Sequence, residues 1–487
     1  AMLLFNRRNY DDGSKLPYRN QGLAGRASYT YSGKYVGEFN FGYNGSENFA
    51  KGKRYGFFPS GAIGWIVSEE AFMQPLRKVI SKLKLRASYG QVGNANLGGR
   101  RFAYLSTITD DYDTLNMYKW GLDSSYGLTG MAEGEFAVQD LTWEIVNKMN
   151  LGVELGFLNG MIDLQLDYFD ERRKDIFMPR ESVPMTAGFM KQPWKNFGKV
   201  TNQGVEVSLN VNKQFGKDLF VSLMGTFTYA HNEITEKDEP SAVVGTNRAE
   251  TGHPVGQLTG YIAEGLFTED DFEDVSTGKL KEGIPTQSFV SKLRPGDIRY
   301  RDVNGDGKID ISDFVRVGSS VPKLYGGWAN ELRWRDFDLN LLFTYSLGRD
   351  MYKTYDIRSL DAYNGGQGGR ALYINTDKAS FWTEDNHKAQ YARLGTLNSM
   401  GGMLESNLET VSYMKLKQLT LGYNLPKEWA RKVGMVGLRA FITGENVFTL
   451  SNYSGVDPEV VSIENGQDDF NTYPLARKWT IGLTLNF

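Results

Sequence analysis

Residues 301–313 read RDVNGDGKIDISD, a run of oxygen-bearing side chains threaded through two glycines. A calcium loop of the EF-hand type takes oxygen ligands at positions 1, 3, 5, 7, 9 and 12, with glycine at 6 for the sharp turn. Counted from Asp302, those positions hold Asp302, Asn304, Asp306, the Lys308 carbonyl, Asp310 and Asp313, with Gly307 at position 6 and Ile309 at position 8. An all-oxygen donor set rich in carboxylates suits a hard cation, and the spacing predicts a structural calcium ion. Asp313 stands where a longer Glu normally gives bidentate ligation, so the grip there is looser. The same residue types dominate ordinary Asx turns, which is the competing reading. Such a loop occurs in sensors, buffers and extracellular clips alike and names no function by itself.

Other chemistry is thinly supplied. The chain has 487 residues with 55 basic and 58 acidic side chains, a net charge of −3 that leaves no nucleic-acid footprint. It contains no cysteine, which excludes thiolate catalysis, Cys-ligated zinc and a disulfide framework. His231, His253 and His387 lie far apart in sequence. Neither G-x-S-x-G nor H-E-x-x-H occurs, and an enzyme is not expected. Trp120, Trp194 and Trp382 fall in long connections and have the type to stack on sugar rings, although a single loop tryptophan more often packs within its loop.

The elements that must position these residues read as β-strands. No run of eighteen apolar residues exists and the mean hydropathy is −0.42, so no transmembrane helix is present; a transmembrane barrel, which hides its apolar surface in alternate residues, is not excluded. In MIDLQLDYF, Ile162, Leu164, Leu166 and Tyr168 share one face while Asp163, Gln165 and Asp167 share the other. NLGVELGF, FDLNLLFTYS and WTIGLTLNF alternate in the same way, with Leu342 the one exception. A soluble sandwich with an apolar inner face also alternates, so this pattern alone leaves two readings even.

Connection lengths separate them. Strands are expected near 25–31, 35–43, 61–67, 83–90, 142–157, 161–170, 200–213, 219–231, 324–334, 337–348, 411–425, 437–450 and 477–487, about thirteen in all. The links 32–34, 158–160, 215–218 and 335–336 are tight, whereas 91–141, 171–199, 232–323 and 349–410 are long. Alternating short and long links are those of an outer-membrane barrel with periplasmic turns and extracellular loops. The fold expected is therefore all-β, a transmembrane antiparallel β-barrel. Thr480, Gly482, Leu485 and Phe487 also form a polar-x-Gly-x-x-apolar-x-aromatic ending that resembles the assembly signal of bacterial outer-membrane barrels.

RPGDIRYRDVNGDGKID, VPKLYGGWANELRWRDFDLNLLFTYSLGRDMY, SYMKLKQLTLGYNLP, the SEEAF and LKLRASYGQVGN stretches and the terminal aromatic together resemble the SusC/RagA family of TonB-dependent transporters of Bacteroidetes, over nearly the whole chain. The resemblance implies an integral protein of the bacterial outer membrane that imports oligosaccharides or peptides, with a SusD-like surface lipoprotein as lid and energy relayed by the TonB complex. A passive porin or a surface-binding receptor is the alternative. Transporters of this class have 22 strands and a plugged lumen. The chain is therefore expected to be the C-terminal part of the barrel, with plug, N-terminal domains and remaining strands on a companion chain or absent. With the terminal strand descending into the periplasm, the loop Asp302–Asp313 falls on the extracellular side.

Overall fold

The computed structural model describes residues 1–11, 13, 16–109, 118–120, 126–128, 131–189, 191–287, 292–352, 382–389, 392–393, 408–432, 434–453, 457–459, 461–462, 467–468 and 475–486. Two compact units divide the chain: one of 1–213, 224–244 and 250–253, the other of 214–223, 245–249 and 254–487.

The long strands of the first unit are β1 (Met2–Tyr10), β2 (Tyr18–Tyr31), β3 (Tyr35–Ser46), β4 (Tyr55–Ile66), β5 (Ile80–Asn94), β6 (Glu144–Phe157), β7 (Ile162–Pro179), β8 (Trp194–Phe215) and most of β9 (Leu219–Glu236). From β1 to β8 each strand runs antiparallel to the next. In the second unit β10 (Leu324–Trp334), β11 (Phe337–Tyr352), β12 (Leu408–Asn424), β13 (Gly437–Ser451) and β14 (Lys478–Asn486) form the same consecutive antiparallel order. Residues 245–323 form a separate group of short paired strands around two small buried clusters, one of them Tyr261, Tyr300 and Ile309.

The strands differ from the expected ones in number and length. β1 was not expected, because MLLFNRRNY is an apolar block followed by a polar one and does not alternate. β7 and β8 run past 170 and begin before 200, where Asp170, Glu171, Arg172 and Arg173 make both faces polar and erase the alternation while the ladder continues. β4 starts at Tyr55 rather than at 61. Pro59 lies within it, and the ladder to β5 begins only at Ser60–Gly90, just past the residue that has no N–H to donate. The alternation of links also softens, since 11–17 and 47–54 sit at long-link positions but are short.

Apolar side chains occupy the exposed face. Ile63 and Tyr29 in the first unit are each 70% exposed, and Ile481 in the second is 81% exposed. A soluble sandwich buries its alternating apolar face, so the ambiguity left by the sequence is resolved against it.

At the short-link end of the first unit, the turn after β4 is fastened to the turn before β3. The Glu70 carboxylate accepts from Tyr35 Oη at 2.7 Å, Lys34 Nζ at 2.9 Å and Trp65 Nε1 at 3.2 Å. These donors, the Tyr35 hydroxyl foremost, hold its carboxyl at about 2 instead of the ordinary 4.5. A folded value below the unfolded one means that the contribution to stability is complete above the ordinary value and fades as the pH falls through it toward about 2. Amide protection factors at 67–73, corrected for the intrinsic pH dependence of exchange, should accordingly fall between pH 5 and 2 in the native chain. Glu70→Gln should flatten that pH dependence, and an unchanged profile would refute the assignment.

Candidate functional site

The polar face of the strands is built from ion pairs that cross between them. In the first unit Glu154 on β6 takes Lys82 Nζ at 2.7 Å and Lys84 Nζ at 3.2 Å from β5. Arg86 on β5 donates through Nη2 to Asp167 Oδ2 at 2.7 Å, although Asp167 lies on β7, two strands away. The residue between them in register is Gly152 of β6, paired with Arg86 on one side and Asp167 on the other. A Cβ there would stand 2.6 Å from Arg86 Nε and 2.7 Å from Asp167 Oδ1, so only glycine leaves the path open.

The second unit repeats the device. Arg439 on β13 donates through Nε and Nη2 to Asp338 on β11 at 2.9 and 2.5 Å, in a bidentate pair. Gly422 of β12 lies between, and a Cβ on it would run into both partners. Nearer the loops, the buried Lys415 ammonium is held by Asp457 at 3.2 Å and Glu459 at 2.8 Å, and Lys417 shares Glu459 at 2.8 Å.

The oxygen-rich loop sits among the short strands of 245–323. Asp302 accepts from the backbone N–H groups of Gly305 and Gly307, both at 2.7 Å. Asn304 Oδ1 accepts from Asp306 N at 3.0 Å, and Asp306 Oδ1 from Lys308 N at 2.9 Å. Asp313, fully buried, accepts from Val303 N at 2.7 Å and Asp310 N at 2.9 Å, closing the loop's two ends on each other. Gly305 and Gly307 have φ of +75° and +82°, the left-handed turns that this path requires. Ile309, also fully buried, anchors the loop between Tyr261 and Tyr300. The N–H of Ser312, the chief cause, and its hydroxyl hold the Asp310 carboxyl below its ordinary value; burial, followed by Asp310 and Asp313, pushes the Tyr261 phenol up.

Among the described residues no group of three or more His, Cys, Asp or Glu side chains converges as a metal-holding cluster. The donor set of the loop nonetheless fits a hard cation in its chemistry. A carboxylate has about four lone-pair sites, and the bonds above occupy only part of them.

The remaining singled-out residues divide. Thr480 pairs with Thr443, Leu485 with Leu438, and Gly482 with Phe441, whose ring occupies the space that a Cβ on Gly482 would take. Phe487 lies outside the described residues. Trp382 stacks on His387 with centroids 5.4 Å apart and covers Gly296, which is loop packing. Trp194 packs against Phe177 at 5.1 Å, and of Trp120 only the backbone strand 118–120 is described. The glycine-spanned ion pairs were not anticipated, because they emerge only from cross-strand register. The usable signal was Gly152 on the polar face of NLGVELGF.

An exposed apolar face backed by an ion-paired face is the wall of a transmembrane β-barrel. The chain belongs to the TonB-dependent receptor-like β-barrel family, whose pattern matches residues 5–447. It is 28% identical over 484 residues to TonB-dependent receptor P3 of Formosa agariphila, covering 95% of this chain and 45% of that protein. It is likewise 28% identical over 467 residues to TonB-dependent receptor SusC of Bacteroides thetaiotaomicron, covering 95% of this chain and 43% of that one. The fold matches the RagAB peptide transporter with a TM-score of 0.73 at 23% identity, over 97% of this chain and 48% of the other. The chain thus spans about half the length of the relatives it matches. The family consists of integral outer-membrane transporters and receptors.

Two outcomes test this wall. Leu164→Arg or Leu341→Arg should cost about 2–4 kcal/mol if the position is near the bilayer midplane, with Gln165→Arg far milder. Unfolding in urea from lipid vesicles measures the difference, and equal effects would reverse the assignment of faces. Gly152→Val should block Arg86 from Asp167 and leave a buried carboxylate with only the neutral Gln165 amide as donor, costing roughly 1–3 kcal/mol. If Asp167→Asn fails to recover part of that loss in the Gly152→Val background, the spanning pair is not what the glycine serves.

Proposed function

We propose that this chain is the barrel portion of an energised outer-membrane importer of oligosaccharides or peptides, working with a SusD-like surface lipoprotein as lid and with the TonB complex. The family membership carries this reading. The two cargo classes are those implied by the SusC/RagA resemblance, and the RagAB peptide transporter shares the fold. The crossing ion pairs at Glu154, Asp167 and Asp338 partly neutralise the polar face, which suits the passage of polar cargo. Deleting the gene in its host should abolish uptake of one oligosaccharide or peptide class, and a protonophore should do the same in the parent strain. Uptake that survives the protonophore would make the barrel a passive porin instead.

The loop would hold calcium through Asp302, Asn304, Asp306, the Lys308 carbonyl, Asp310 and Asp313. On the extracellular side, an affinity of about 10⁻⁴ to 10⁻³ M suffices for occupancy. The ion would neutralise clustered carboxylates and stiffen an excursion tied to its neighbours through Asn247, whose Nδ2 donates to the Ser312 carbonyl at 2.6 Å. Asp306→Ala combined with Asp310→Ala should raise protease cleavage across 290–320 and remove its suppression by calcium, with barrel assembly intact. Cleavage of the native chain that is indifferent to calcium and chelator would defeat the metal assignment.

A further inference from the structure

At the loop end of the first unit, a recess of about 450 Å³ opens between 98–107, 135–138 and the strand ends at Phe177 and Trp194. That volume lies within the range of ligand clefts, about 300–1,000 Å³. Neither the ion-paired face nor the oxygen-rich loop uses it. Its walls are braced from behind, since Phe177 and Trp194 pack onto the buried cluster of Phe49, Leu97, Val138, Leu141 and Trp143. The Arg100 guanidinium lies over the Trp194 ring, 4.1 Å from its centroid, and ion-pairs through Nη1 with Glu135. One of five N–H donors is thereby engaged, and the rest of a flat, fixed cation remains available to an acceptor. Phe102 lines the same recess at φ +52°, a backbone conformation that bulky residues rarely adopt. Strain of this kind collects at ligand clamps.

We propose that this recess is a cargo subsite for one sugar unit of an oligosaccharide, resting on the importer reading above. Its apolar C–H face would lie against the aromatic wall, with ring hydroxyl or carboxylate oxygens on Arg100 and hydroxyl protons on Glu135. Sugar is favoured over peptide because an extended peptide is read through its backbone. The backbone at its rim is already self-paired: Thr107 N donates to the Glu135 carbonyl at 3.0 Å, Gly134 N to the Thr107 carbonyl at 2.8 Å and Val138 N to the Ala103 carbonyl at 2.8 Å.

The test uses the full parent protein in detergent, titrated with glucose, galactose, xylose and glucuronate to high millimolar concentration, followed by tryptophan fluorescence and saturation-transfer NMR. At least one sugar should bind saturably, and Arg100→Met and Trp194→Phe should each weaken it tenfold or more while the folded band on unheated gels is retained. No saturable sugar, or binding indifferent to Arg100→Met in folded protein, overturns the subsite. Saturable binding of the dipeptide Gly-Phe in place of any sugar, lost in Arg100→Met, also overturns it and marks a peptide site. Sugar binding in a protein whose deletion leaves uptake unchanged would keep the subsite and sink the importer reading; uptake without sugar binding would do the reverse.

Discussion

Arg86 meets Asp167 across a whole intervening strand, and much of the polar face follows from that reach. Neighbouring strands are about 4.8 Å apart, so two strands span roughly the length of an extended arginine. The reach succeeds only because Gly152 contributes no side chain between them. Asp167 is 6% exposed, and a carboxylate so placed needs a partner. The Arg439, Gly422 and Asp338 arrangement solves the same problem independently. A wall one residue thick, with hydrocarbon contacts on one side and charges on the other, cannot draw stability from a buried apolar core. Lateral pairing of its charges and its ladder hydrogen bonds must take over that role.

What was legible in the sequence was whatever period two controls. Ile162, Leu164 and Leu166 against Asp163, Gln165 and Asp167 announce a strand with unlike faces, and the short link at 158–160 announces its neighbour. Where charges fall on both faces, as at Asp170–Arg173, or apolar residues run together, as at Ile176–Pro179, the alternation vanishes although the strand does not, which is why the end of β7 and its partner from Trp194 were not foreseen. The turns of the loop at 302–313 were legible because their logic is local: Gly305 and Gly307, with Asp and Asn beside them, lie within one short stretch. The glycine-spanned pairs were illegible for the opposite reason. Arg86 and Asp167 are 81 residues apart in sequence, and their meeting depends on the registers of two ladders at once.

The same contrast explains the loop's architecture. Its ends are joined by Asp313, which accepts from the N–H groups of Val303 and Asp310, and its middle is pinned by Ile309 in an apolar niche. Backbone bonds and one buried side chain thus shape it before any ion is considered. A cation would act on a loop already close to its working form and would contribute rigidity more than folding.

One feature of the first unit bears on how the wall would come apart. β4 and β5 stay paired only from Ile66–Lys84 to Ser60–Gly90, whereas β5 and β6 remain paired as far as Asn94–Glu144. Above Ser60 the sheet is forked, and the fork is plugged by rings: Trp143 stacks on Phe49 at 4.9 Å and meets Phe58 edge-on at 5.3 Å. Under tension drawn through the loops, load at that fork falls on ring contacts and on isolated side-chain bonds such as Asn48 Nδ2 to the Ala95 carbonyl at 3.1 Å, while the neighbouring seams are clamped by backbone ladders. Mechanical rupture would therefore begin at the fork and run down the β4–β5 seam.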